Sequence, residues 1–358
     1  MRKMKIGFVG VGAISGIYLE NLTKRFKDEL EIIGVCDLIR ERAENAVRKY
    51  GIPKLYNDMH ELFADPEVDI VLNITRPDEH FEVTKAALLA GKHVYSEKPL
   101  ASTLEGAREL VKLALEKGLE LGGAPDTFMG AGIQTCRKLI DEGAIGTPVG
   151  AAGFMICRGH ETWHPDPEFY YKRGGGPMLD MGPYYVTAML HLLGGVSEVF
   201  AMTKKSFPER MITSKPHNGE VIHVDVDTYV AGTLRFRSGA IGTLFTTFDA
   251  YYPYQARVEV YGSEGTLFVP DPNCFGGPVS IFKPGVGTTE IPLVDGYPEN
   301  SRGLGLRDMA RHILSGSEFR CSWRQTLHAL EVMEGFSRSG RERREVEIES
   351  AYERSARL

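Results

Sequence analysis

The chain has little cysteine, no excess of positive charge and no long apolar run, and each shortage removes a class of protein. Five cysteines stand among 358 residues (Cys36, Cys136, Cys157, Cys274 and Cys321), an odd number with no C-x-x-C pair. That spacing carries no disulfide framework, and a reducing cytoplasm is the expected setting. Lys and Arg number 42 against 48 Asp and Glu, a net charge of −6. Phosphate neutralisation needs a basic surface, so nucleic acid is not expected as the main partner. No apolar stretch reaches the roughly 20 residues that span a bilayer, so no membrane partner is expected. The basic start Met1-Arg-Lys-Met-Lys5 resembles the head of a signal peptide, but glycines break the apolar run behind it. Repeats of solenoid length and low-complexity tracts are also missing. What remains is a soluble chain long enough for two packed domains.

What is present is most concentrated in Lys5-Ile-Gly-Phe-Val-Gly-Val-Gly-Ala-Ile-Ser-Gly16. This reads as a buried strand, a glycine turn and a helix from about Ala13. Gly10 permits the tight turn, and Gly12 removes the side chain that would hold a pyrophosphate away from backbone N–H groups. Gly10, Gly12, Ala13 and Ile14 are therefore cofactor-site candidates. Ser15 stands at the third fingerprint position and is small enough for close helix–strand contact. The next strand, Leu30–Cys36, ends in Asp37, which can accept hydrogen bonds from ribose hydroxyls and repel a 2′-phosphate. That favours NAD. Arg40 and Arg42 follow and keep NADP open, and a helix N-cap is another use for Asp37.

Strand and helix patterns alternate to about Gly123, with helices expected at Ala13–Lys27, Arg40–Tyr50, His80–Ala90 and Thr103–Lys117. Such alternation specifies a parallel, doubly wound sheet. After Gly123 come helices at Gly130–Glu142 and Asp180–Leu193, consecutive strands with short turns, and two closing helices. The second half thus predicts an α+β domain with a large, mostly antiparallel open sheet. The expected division is 1–123 and 124–358.

Three further segments carry chemistry. Asp69–His80 is a strand opening into a turn and a helix, the sheet edge where ligands sit, which singles out Thr75, Arg76 and His80. The strand before Glu97-Lys98-Pro99 places a lysine at its tip, able to stabilise a hydroxyl as its proton leaves. Gly174-Gly-Gly-Pro-Met-Leu-Asp-Met-Gly-Pro-Tyr-Tyr185 feeds a helix on which Asp180 and Tyr184, four apart, would share a face. His160-Glu-Thr-Trp-His164 matches the H-E-x-x-H pattern of zinc peptidases, but Pro165-Asp-Pro167 opposes the helix that zinc binding needs. No metal is expected. His160, Trp163, His164 and Tyr170 instead suit a carbohydrate, mixing flat apolar faces with hydrogen-bonding groups.

These motifs resemble the Gfo/Idh/MocA family of oxidoreductases, which includes glucose–fructose oxidoreductase and inositol dehydrogenase. The carrying runs are Gly10-x-Gly12, Ala90 to Pro99, Gly174 to Gly182 and Gly262-Ser-Glu-Gly-Thr-Leu267. The resemblance implies a first domain that binds NAD(P), contacts from Lys98 and Asp180 to a reacting sugar or polyol, and a homodimer or homotetramer built through the second domain's sheet. It also exposes departures. Polyol dehydrogenases of the family carry an acid/base histidine four residues after the aspartate, where this chain has Tyr184. Thr187 replaces a frequent second aspartate, and Arg76 a small residue or proline. Tyr184 or a loop histidine, His160 or His164, would then move the proton. The leading expectation is an NAD(P)-dependent dehydrogenase or reductase. Two alternatives are a glycoside hydrolase using transient oxidation by bound NAD and a non-catalytic dinucleotide-binding regulator, as in some relatives.

Overall fold

Short β-branched runs and glycine turns form six parallel strands in the computed structural model, which describes residues 2–252 and 257–358. They are β1 (Met4–Val9), β2 (Leu30–Cys36), β3 (Lys54–Leu55), β4 (Ile70–Asn73), β5 (His93–Ser96) and β6 (Leu121–Gly123), ordered β3-β2-β1-β4-β5-β6. The helices are α1 (Ser15–Glu20), α2 (Arg40–Tyr50), α3 (Met59–Ala64), α4 (His80–Leu89) and α5 (Leu104–Lys117). The strand order reverses between β1 and β4, where doubly wound sheets open their ligand crevice. α5 shows how the elements are specified. The Thr103 hydroxyl caps its start by accepting the Gly106 N–H, and Gly118 ends it at φ 64°. Leu104, Ala107, Leu110, Val111 and Ala114 recur every three or four residues, and all are buried. α3 and the two-residue β3 give weak sequence signals; Asp58 caps α3 through the His60 and Glu61 N–H groups.

Two local expectations change here. The first helix does not run from Ala13 to Lys27: α1 passes into a π-helical turn over Asn21–Arg25 and stops at Phe26. The wider turn accompanies an inward Asn21, whose amide donates to the carbonyls of Asn300 and Arg302. Asp37 does not cap α2, which has Ile39 at its N-cap position and no side-chain cap bond.

The boundary also differs from 1–123 and 124–358. One compact unit comprises Met1–Asp126 and Asn300–Leu327, the other Thr127–Glu299 and His328–Leu358. Residues 300–327 return to the first unit because the edge of its sheet is built to receive them. Gly123 N–H donates to Cys321 O, and a side chain on Gly122 would collide with that same carbonyl. The buried Asp126 carboxylate accepts the Gly303 and Gly305 N–H groups at the start of helix Leu304–Ser315.

The second unit begins with α6 (Ala131–Asp141), β7 (Pro148–Ile156), α7 (Gly176–Asp180) and α8 (Gly182–Leu193). Its strands continue as β8 (Val196–Lys204), β9 (Glu209–Met211), β10 (Val221–His223), β11 (Tyr229–Phe236), β12 (Ile241–Thr247), β13 (Arg257–Gly262), β14 (Thr266–Val269), β15 (Val279–Lys283), β16 (Gly287–Ile291) and β17 (Val346–Glu347). Nine of them form a sheet ordered β16-β15-β14-β13-β7-β12-β11-β8-β17, antiparallel except for the β7–β12 pair. β9 and β10 make a separate antiparallel ribbon. The helix expected over Asp180–Leu193 is two helices broken at Met181. Pro183 lacks an N–H and would crowd the carbonyl four residues back in a continuous helix, so it sits in the first turn of α8. Asp180 ends α7 while Tyr184 lies in the first turn of α8, and they do not share one helix face. Among the described residues no helix is long and apolar enough to cross a membrane.

Candidate active site

In the first unit the glycine turn fits a dinucleotide. Gly10 has φ 93°, and a Cβ there would lie 2.7 Å from Ile74 O, so only glycine holds this turn. A Cβ on Gly12 would point into open space, and Ala13 and Ile14 beside it are exposed. Ser15 earns its place at the third fingerprint position by donating its hydroxyl to Gly12 O at 2.7 Å, which closes the turn. Asp37 lies half-buried at the end of β2. One carboxylate oxygen accepts Val11 N–H at 2.5 Å and the other Ile39 N–H at 2.7 Å. The acid therefore braces the phosphate turn and still presents lone pairs at the place a ribose occupies in such folds.

The ends of β4 and β5 are tied together by buried polar groups. Asn73, which the sequence reading did not single out, accepts from the Thr75 N–H and hydroxyl and donates to His80 O and the Thr84 hydroxyl. His80 is almost fully buried, with Nδ1 2.7 Å from Pro99 O and Nε2 3.1 Å from Thr75 O. Its burial pushes the imidazole below its usual range, against the pull of those carbonyls and of Glu97. Glu97 accepts the Tyr18 hydroxyl at 2.6 Å and the Lys98 N–H at 3.0 Å. Burial, and then Glu97, push the Tyr18 phenol well above its ordinary value. The result is a clamp on the Glu97-Lys98-Pro99 turn, with Lys98 half-buried and Arg76 exposed at the neighbouring strand end.

In the second unit the loop after β7 gathers His160, Trp163, His164 and Tyr170. The His160 ring centroid lies 4.1 Å from that of Tyr170, 4.7 Å from Phe248 and 5.3 Å from Trp163. His164 packs edge-on against Tyr170, and its Nδ1 accepts Asp166 N–H, which places its proton on Nε2. Trp163 is 61% exposed, leaving a broad apolar face open. His160 Nε2 lies 3.0 Å from Asp180 Oδ2. Tyr184 is buried in the first turn of α8.

His160 and His164 are joined by an i to i−4 backbone bond, but the turn goes no further. Its glutamate is also committed. Glu161 pairs with the guanidinium of Arg210 at 2.7 Å and accepts the Tyr171 hydroxyl, while the Tyr171 oxygen accepts His160 N–H. Arg210, on β9, is buried and also reaches Asp249 and the carbonyls of Arg158 and Phe248. No group of three or more His, Cys, Asp or Glu that could hold a metal occurs among the described residues. Arg210, Tyr171 and Asp249 gave no sequence signal, because a lone arginine in a short ribbon reads as a solvated surface group, and Glu161 was flagged only through the H-E-x-x-H match.

Comparison with known proteins finds relatives over both units. Residues 4–122 match an oxidoreductase family with an NAD-binding Rossmann fold, and residues 133–268 match the GFO/IDH/MocA C-terminal domain. A myo-inositol 2-dehydrogenase of Thermotoga maritima is 30% identical over 266 residues, covering 74% of this chain and 75% of the relative. A 1,5-anhydro-D-fructose reductase of Ensifer adhaerens is 32% identical over 273 residues, 74% of each chain. The crystal structure of an NAD-binding oxidoreductase from Klebsiella pneumoniae superposes with a TM-score of 0.84 at 24% identity, over 97% of this chain and 100% of that one, a likeness of fold.

Proposed function

The chain belongs to the Gfo/Idh/MocA family of NAD(P)-dependent oxidoreductases that act on CH–OH groups of sugars and polyols, and on that premise we propose the role of each site residue. Gly10, Gly12, Ala13 and Ile14 cradle the pyrophosphate at the start of α1, and Asp37 takes the adenosine ribose. Thr75, Arg76, His80 and Glu97 shape the strand ends beside the nicotinamide half. When bound, the cofactor supplies the hydride acceptor or donor. Lys98 donates a hydrogen bond to the reacting oxygen and stabilises it as the proton leaves. In the second unit Asp180 orients the proton-handling group, and His160, Trp163, His164 and Tyr170 face the sugar ring. Tyr184, in the first turn of α8, takes the position where family polyol dehydrogenases carry histidine.

The observation that carries this reading is the aromatic and imidazole wall beside Asp180. Flat apolar faces cover the C–H side of a sugar ring, while the carboxylate and ring nitrogens serve its hydroxyls. The same reading assigns the protein to a reducing cytoplasm, since its five cysteines are all free thiols. It also assigns a homodimer or homotetramer through the nine-stranded sheet, whose one face exposes Phe200, Met202 and Ile241. The test is a screen of absorbance at 340 nm with NAD and NADP against myo-inositol, D-xylose and levoglucosan, and with NADH and NADPH against 1,5-anhydro-D-fructose. Turnover with at least one is expected. Cofactor binding with no turnover across a wide sugar and polyol panel would overturn the reading.

A further inference from the structure

The loop that carries the sugar-facing residues is held by a neighbour rather than by regular structure of its own. Residues 157–171 contain no strand and a single 3-10 turn, Glu168–Tyr171, so their shape comes from what they touch. We propose that the β9–β10 ribbon is a brace that fixes the wall of His160, Trp163, His164 and Tyr170, with Arg210 as its positioning residue, and so governs which sugar or polyol is accepted. This role rests on the carbohydrate reading above, and the second unit fulfils it alone.

The ribbon grips the loop near both ends and in its middle. Arg210 projects from β9, with its side chain only 2% exposed. Its Nη1 donates to Glu161 at 2.7 Å and to Arg158 O at 3.0 Å, both in the loop. Its Nη2 donates to Asp249 and to Phe248 O, just past the end of β12. Beyond β9, the N–H groups of Thr213 and Ser214 donate to Glu161 O, and the Ser214 hydroxyl donates to His164 O. On the β10 side, Asp225 N–H reaches Tyr171 O, and the Lys172 ammonium donates to His223 O. All four wall residues fall between these ties.

Arg210 suits the task because a planar guanidinium serves two carboxylates at once in fixed directions, whereas an ammonium is a single point charge. Replacing it leaves a buried carboxylate poorly paired, which is strongly unfavourable. The side that yields is the loop. Asp249 is held independently, by the Thr228 hydroxyl at 2.7 Å and by its own N–H on Thr247 Oγ1. The Glu161 carboxylate keeps only the Tyr171 hydroxyl, which belongs to the same loop. A shift of Glu161 carries His160 and Trp163 with it, and a binding site works only when held to within about 0.5 Å. The wall faces the body of the sugar, so its misalignment removes binding common to ground state and transition state. Such a loss raises KM and spares kcat.

Two measurements decide it. In a Trp323→Phe background Trp163 is the sole tryptophan, and its time-resolved anisotropy reads nanosecond motion of the loop. Arg210→Lys and Ser214→Ala should each enlarge the fast component. With a compound that turns over, Arg210→Lys should raise its KM by roughly 10-fold or more and Ser214→Ala by about 3-fold, with kcat and the KM for NAD within about 2-fold of wild type. The preference for that compound over the next best should fall as well. A merely structural role would lower the folded fraction, and hence kcat, while leaving KM alone. Unchanged Trp163 motion in both variants, or an unchanged sugar KM or preference, overturns the brace. Should Arg210→Lys not fold, Ser214→Ala, which removes a single oxygen, carries both readouts. If no sugar or polyol turns over, the carbohydrate reading fails, while the anisotropy still judges the brace.

Discussion

Asp37→Ala should have two separable effects, because this carboxylate has two jobs. Its oxygens accept Val11 N–H at 2.5 Å and Ile39 N–H at 2.7 Å, so the substitution unties the glycine turn from the end of β2. Hydrogen bonds to a charged group contribute about 1.5–3 kcal/mol each, but here both amides lie near solvent and can rehydrate. A combined loss of about 2 kcal/mol in the stability of the dinucleotide unit follows. The second effect is electrostatic. A 2′-phosphate carrying about −1.5 to −2 charges, roughly 5 Å from the carboxylate at an effective dielectric of about 40–80, is repelled by roughly 1–3 kcal/mol. Wild-type protein should therefore bind NADH more tightly than NADPH by about 5- to 150-fold. Asp37→Ala should close most of that gap, weakening NADH and sparing NADPH. Asp37→Asn keeps an acceptor and loses the charge, so it should narrow the gap with a smaller loss of stability. Fluorescence titration with both reduced cofactors, beside urea unfolding, reads the two effects. Equal or tighter NADPH binding by the wild type, or an unchanged ratio in Asp37→Ala, would refute the reasoning and turn attention to Arg40 and Arg42.

Two other outcomes are expected. Lys98→Met should keep NADH affinity within a few-fold while turnover falls by roughly 10²–10⁴-fold, as for loss of a positioned charge at the reacting oxygen; stopped-flow hydride transfer with near-normal rates would remove Lys98 from the chemistry. His328 is buried, accepts Val196 N–H through Nε2 at 3.0 Å, and is depressed by burial to a pKa of about 4. The unfolded chain takes up this proton first, so the contribution is complete above about pH 6.5 and drains away as pH falls toward 4, by roughly 3 kcal/mol in all. Urea midpoints of wild type and His328→Gln, compared at pH 7 and 4.5, should show a flatter dependence in the variant; parallel curves would contradict it.

The parts legible from sequence are those in which local pattern and tertiary role agree. β5 and α2 lie where apolar runs, amphipathic spacing and glycine stops place them. The glycine turn could be read because Gly10 is required by its own backbone. Elsewhere the deciding partner is distant. The π turn in the first helix answers to residues near 300, and nothing around Asn21 announces them. The short strands β9 and β10 have too few residues to show a period, so the ribbon that carries Arg210 was invisible. The break at Met181 was signalled by Pro183, yet the sequence pattern on both sides is helical and the interruption reads as one continuous helix. The aromatic loop was legible as a group of residue types. Which histidine meets Asp180 was not, since 20 positions separate Asp180 from His160.

The return of residues 300–327 to the first unit bears on the order in which the protein is made. The glycine turn is made well before its unit can be completed, because residues 1–126 still lack the segment 300–327. The outer edge of β6 still lacks Cys321 and Ser322, and the buried Asp126 carboxylate still lacks the amides of Gly303 and Gly305. About 170 residues of the other unit are synthesised before those partners emerge, a delay of roughly 10–35 s at typical elongation rates. During that interval the nascent domain has an open sheet edge and a carboxylate in a half-built pocket, the kind of surface chaperones hold. The glycine turn thus belongs to a unit that is sealed late, once the intervening segment 127–299 has been made.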